Sequence, residues 1–168
     1  MSKVKNMVKW CLNKAKRELE KGQKHRGLIQ IKPDEKLAQD YLVKAEHNLE
    51  VFILNKEHKF YDWTINMGFY VMYHCFLAII TKFGYETRNQ ECTLALIESL
   101  VEDKKIDGDF KRYIETMKSN TKEEEKQIMP MRETYQYTPI IDIDVRKVEE
   151  LLEICQDIIK DTKGIIYV

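Results

Sequence analysis

Apolar residues in this chain recur at intervals of three and four over most of its length, the spacing that places them on one face of an α-helix. Val4, Met7, Val8, Cys11, Leu12, Ala15 and Leu19 form such a stripe, which predicts a first helix over Val4 to Lys21. Gly22 and Gly27 bracket a connector. After Lys32-Pro33-Asp34 a second helix is predicted to begin and to end near Asn55, because proline suits a first helical turn; Leu37, Tyr41, Ala45, Leu49 and Phe52 or Ile53 form its face.

From Tyr61 to Phe83 the pattern changes. Trp63, Ile65, Phe69, Val71, Phe76 and Ile79 leave this segment apolar on nearly every side, as expected for the central helix of a bundle. Gly84 is placed to end it, and Tyr85 to Asn89 reads as a polar connector before a fourth helix with Leu94, Ile97, Leu100 and Val101. Between Asp107 and Gln127 the periodicity weakens to Phe110, Tyr113, Ile114 and Met117, followed by the Lys122 to Lys126 charge run, read as a solvated face. Pro130 and Pro139 bracket Met131 to Tyr137. A last helix carries Val145, Val148, Leu151, Leu152, Cys155, Ile158 and Ile159. The reading is all-α: one domain over residues 1–168, an antiparallel bundle of five or six helices with little support for a sheet.

Composition sharpens this picture. The chain has only six Gly and three Pro among 168 residues, and that length can bury a core without metals or disulfides. Cys11, Cys75, Cys92 and Cys155 form no C-x-x-C pair, so buried reduced thiols are expected, and neither a metal nor a cofactor is called for. The first residues, Met1 to Lys9, carry no apolar targeting core. No apolar run approaches the ~20 residues of a membrane span, so a cytoplasmic protein without membrane contact is expected.

Net charge is zero, 28 basic against 28 acidic residues, but it is unevenly spread: residues 1–32 hold ten basic residues and only two acidic ones. Lys24, His25 and Arg26 continue the basic first helix, which carries Trp10. Lysine and arginine hold phosphates and an aromatic ring stacks on a base, so this connector is a candidate RNA or nucleotide contact. Arg88 and Asn89, just before the fourth helix, are candidates for the same role, since a helix N-terminus favours anions. The bland alternative for each is a solvated turn.

Three stretches together carry a resemblance: Lys24-His25-Arg26-Gly27-Leu28, Lys44-Ala45-Glu46-His47-Asn48-Leu49, and Phe69 to Ala78 followed by Gly84. They resemble the HEPN (higher eukaryotes and prokaryotes nucleotide-binding) family, in an archaeal-type branch, from about Lys24 to Ile165. The resemblance implies a HEPN-like helical bundle, RNA or nucleotide as ligand, a homodimer, and a nucleotidyltransferase partner in a toxin–antitoxin pair. The dimer is also suggested by more aromatic and Met side chains than one small bundle covers. Many family members are metal-independent ribonucleases with an Arg followed, after about four to six positions, by a His.

Here Arg132 aligns with that Arg, but Tyr137 stands where the His is expected. Arg88-Asn89 leads to no His either. Metal-free RNA cleavage needs a base near neutral pH, and a tyrosine with an ordinary pKa of about 10 is a poor one. Arg132 and Tyr137 are thus catalytic candidates with a compromised base. The histidines His25, His47, His58 and His74 lie elsewhere; His74, inside the apolar third helix, reads as a packed neutral ring, and His47 and His74 are placed to share a buried polar network. Two functions stand: an RNA- or nucleotide-binding HEPN-like protein, or a non-catalytic protein–protein interaction module.

Overall fold

In a computed structural model of the chain, residues 1–118 and 128–168 are described. Among them are seven helices: α1 (Lys3–Glu20), α2 (Glu35–Glu57), α3 (Tyr61–Lys82), α4 (Gln90–Glu102), α5 (Phe110–Met117), α6 (Ile128–Tyr137) and α7 (Val145–Ile166). Two short strands, β1 (Leu28–Gln30) and β2 (Tyr85–Thr87), pair antiparallel.

Polar side chains start the helices where the sequence supplies them. Ser2, Asp34, Asn89 and Asp144 each accept a backbone N–H from the first turn that follows, satisfying donors that the helix itself leaves open. Gly84 ends α3 as expected. Its φ of +84° is the left-handed conformation that favours glycine, and a Cβ there would sit 2.9 Å from the Ile31 carbonyl.

α3 is the centre of the bundle. Phe69, Val71, Met72, Cys75, Phe76, Ala78 and Ile79 are all fully buried, under α2, α7, α6 and α4. By length and composition α3 could cross a membrane, but most of it lies in the protein interior. α2 and α3 form a hairpin, while α7 adds Val148, Leu151, Cys155, Ile158 and Ile159 to the same core. Lys82, at the end of α3, donates to the carbonyls of Ile165 and Ile166 at 2.7 and 3.0 Å, tying the ends of the two helices together.

Four expectations need correction. Five or six helices is too few, because Met131 to Tyr137 belongs to α6; Pro130 falls in its first turn, where the missing N–H would be unsatisfied anyway. The two connectors expected to be irregular pair as a ribbon. On α2 the buried face is Ala38, Leu42, Ala45, Asn48 and Phe52, one position away from the expected face at its start, and Leu37 is 39% exposed. Small Ala38 and Ala45 permit the close approach of α2, whereas the larger Leu37 and Tyr41 lie beside the ribbon. Finally, Cys11 and Cys92 are not reduced thiols: they form a disulfide joining α1 to α4, 81 residues apart in sequence. Cys75 and Cys155 are free and buried; burial pushes the Cys75 thiol up to about 12, so it stays protonated. The Lys122 to Lys126 run lies outside the described residues.

Candidate functional site

The ribbon assembles residues roughly 60 positions apart. Leu28 pairs with Thr87, Ile29 with Glu86 and Gln30 with Tyr85. Beyond one end the Arg88 N–H donates to the Gly27 carbonyl at 3.2 Å, and beyond the other the Ile31 N–H donates to the Gly84 carbonyl at 2.9 Å. The Lys24-His25-Arg26 turn therefore lies against the Arg88-Asn89 connector. Gly27 fixes how this unit rests on α1, because a Cβ there would run into the Cys11 carbonyl and Ala15.

His25 is 3% exposed, and its Nε2 donates to Glu86 Oε1 at 2.9 Å. Its Nδ1 has no hydrogen-bond partner among the described residues. The same Glu86 oxygen forms an ion pair with Arg88, whose Nε lies 3.2 Å away. Lys24 and Arg26 are exposed, and neither side chain enters an ion pair among the described residues. The Arg26 backbone N–H instead donates to Glu18, whose carboxylate also takes Lys14; these two contacts, Lys14 first, hold the Glu18 carboxyl below its ordinary value. Asn89 spends its side-chain oxygen on the Cys92 N–H, 3.0 Å away, as the cap of α4.

A cleft of about 290 Å³ opens between the ribbon, α2 and α3. Its apolar walls are Ile31, Leu37, Tyr41, Leu77 and Ile80. Thr81 and Thr87 also line it, the Thr87 hydroxyl donating to the Gly27 and Asn89 carbonyls, and Glu86 and Arg88 bring the two charges.

Both catalytic candidates lie on α6, Arg132 partly buried and Tyr137 exposed. Arg132 stacks its guanidinium 4.1 Å from the centroid of the buried Phe69 ring, and its Nε is buried without a hydrogen-bond partner among the described residues. Tyr137 is 75% exposed. His47 and His74 do not share a network. His47 is exposed, whereas His74 Nδ1 lies 2.8 Å from the Tyr70 carbonyl and 3.2 Å from the Asn48 amide nitrogen. Burial holds the His74 ring below its ordinary pKa, only partly offset by the Tyr70 carbonyl, and Lys44 adds to the lowering. A neutral ring is the result at pH 7.

Residues 38–165 match the family model described as HEPN domain. The chain belongs to the HEPN family. No curated protein and no solved structure matches the chain. The HEPN match takes in α3, α4 and α7 but stops short of α1 and β1, so Lys24, His25 and Arg26 lie on a segment outside it. In this HEPN protein most of the cleft lies within the match, and Ile31 and Leu37 lie just outside it.

Sequence reasoning singles out Arg88 but passes over Glu86, Thr87 and Tyr41 as connector or core residues. A signal exists: Leu28-Ile29-Gln30 and Tyr85-Glu86-Thr87 each mix apolar, β-favouring and polar residues beside a glycine, as short ribbon strands do. Tyr41 has no such signal, because on a helical pattern it belongs to the apolar face.

Proposed function

We propose that this HEPN protein binds single-stranded RNA through the basic surface around the ribbon and cleaves RNA slowly or not at all. The observation that carries this reading is the pairing of β1 with β2, which sets Lys24 and Arg26, cations without an ion pair among the described residues, beside Arg88. Free lysine and arginine gain most from a phosphate, since they surrender no existing ion pair. Weak cleavage follows from the sequence, where Tyr137 stands at the position of the family's His and a tyrosine makes a poor general base near neutral pH. On this reading the protein is the toxin-like member of a pair with a nucleotidyltransferase.

The test is a Lys24→Ala, Arg26→Ala double variant titrated with single-stranded RNA at several salt concentrations. Affinity should fall for all sequences, and the slope of log affinity against log salt should flatten by about 0.7 for each phosphate no longer neutralised. Unchanged affinity and slope would remove this surface from the function. Cleavage is read separately. Rapid metal-free turnover abolished by Arg132→Ala would reinstate the ribonuclease.

A second reading, a non-catalytic protein–protein module, draws on one row of α3. Trp63, Met67 and Tyr70 follow each other at helical spacing, with Trp63 54% and Tyr70 36% exposed. Such a face suits a second copy of the chain or a partner protein. Sedimentation of the wild type and of Trp63→Glu would separate a homodimer, which the substitution should dissociate, from a monomer.

A further inference from the structure

We propose that the cleft beside the ribbon takes one guanine base together with its adjoining phosphate. This rests on the RNA-binding reading and specifies what the site selects.

Size limits the occupant first. About 290 Å³ lies at the lower edge of the range of small-molecule sites, roughly 300–1,000 Å³. That is room for a single base and part of its sugar, and too little for a dinucleotide. The walls match a flat ring: Tyr41 offers an aromatic side chain, and Leu37, Leu77 and Ile80 offer aliphatic contact.

The charged pair then discriminates among rings. Glu86 Oε1 is occupied by His25 and Arg88, while Oε2 has no partner among the described residues. His25, buried and bonded to the first oxygen, restrains the carboxylate of Glu86, which lines the cleft and leaves its second oxygen free to accept. Guanine presents two adjacent donors on its pairing edge, the ring N1–H and the 2-amino group. Adenine and cytosine set a ring acceptor beside their amino group, and uracil flanks its N–H with two carbonyls; each would turn a lone pair toward the carboxylate. A carboxylate that meets a ring lone pair in place of a donor loses binding, so Glu86 favours guanine. Arg88 pairs with Glu86 through Nε, and its side chain donates no hydrogen bond among the described residues. Its two terminal nitrogens remain to donate to a phosphate.

The same chemistry is available from a free nucleotide and from an RNA strand, and two arms tell them apart. Calorimetric titration of the full chain with GMP, AMP, CMP and UMP is set beside titration with single-stranded octamers that contain one guanine or none. GMP and the guanine octamer are expected to bind about tenfold or more tighter than their guanine-free counterparts, the discrimination of one good paired hydrogen-bond contact. An octamer that binds more than tenfold tighter than GMP assigns the cleft to RNA; equal affinities assign it to the free nucleotide. Glu86→Gln, which keeps an oxygen for His25, should abolish the preference for guanine over the other bases. Leu37→Trp, at an exposed wall, should fill the cleft and do the same without touching the charges. Binding of guanine-free and guanine-containing RNA with equal affinity, unaffected by either variant, would overturn the guanine site while leaving the RNA reading intact. If neither nucleotides nor octamers bind, the RNA reading itself fails and the site with it.

Discussion

His25 and Glu86, 61 residues apart, meet through a 2.9 Å hydrogen bond at which one partner is almost wholly buried and the other reaches solvent. The bond joins the turn after α1 to β2, so the placement of the basic turn depends on it. His25→Ala should leave an acceptor without its donor and loosen the turn. Hydrogen exchange at the amides of Leu28 to Gln30 should accelerate, while exchange in α3 stays unchanged. Equal protection in both proteins would show that the ribbon holds without this bond.

Ala78 is fully buried on α3, and Ala78→Asp would place a charge in the apolar core. The cost is several kcal/mol, against a whole-domain stability of about 5–15 kcal/mol. No cooperative helical melt is expected by circular dichroism; a normal melt would contradict the central position of α3.

Gly27→Ala tests the seat of the ribbon on α1. The added Cβ meets backbone, the Cys11 carbonyl, rather than a side chain that can swing away. Overpacking of this kind costs about 1–3 kcal/mol. A denaturant midpoint equal to that of wild type would mean that α1 shifts freely.

Acid should destabilise the protein through His74. Its folded pKa is depressed below the ordinary 6.5, so the unfolded chain binds the proton first. Stability is then fully present above pH 6.5 and is lost as pH falls toward the folded value. Urea midpoints at about pH 7.5 and about pH 5.5, on either side of the ordinary histidine pKa, should differ less for His74→Gln than for wild type. Equal pH sensitivity would assign the effect to another group.

The Cys11–Cys92 disulfide closes a loop of about 80 residues, and removing such a bond costs about 2–4 kcal/mol. A Cys11→Ser, Cys92→Ser variant should melt below the oxidised wild type, and a reductant should bring the wild type down toward it. Identical melting with and without reductant would argue against the bond.

The helical plan is readable because Phe69, Phe76 and Ile79 on one hand, and Val148, Leu151 and Cys155 on the other, repeat with a helical period that only burial explains. What stays hidden depends on pairings distant in sequence. Nothing in the immediate surroundings of Leu28 names Thr87 as its partner, and strands of three residues are too short for a period to show. Cys11 and Cys92 give no spacing signal, since a disulfide answers to geometry and not to sequence interval. Arg88 is found by its charge. Glu86, which orients it, is not, because an acidic residue in a polar connector looks like any solvated turn.

The disulfide also changes what a break in the chain would do. Lys21, Lys24 and Arg26 make the exposed turn between α1 and β1 an open target for a protease that cuts after basic residues. A cut there would separate α1 in sequence and yet not release it, since Cys11 still holds it to α4. The nicked molecule would run as one species on a non-reducing gel and as two after reduction.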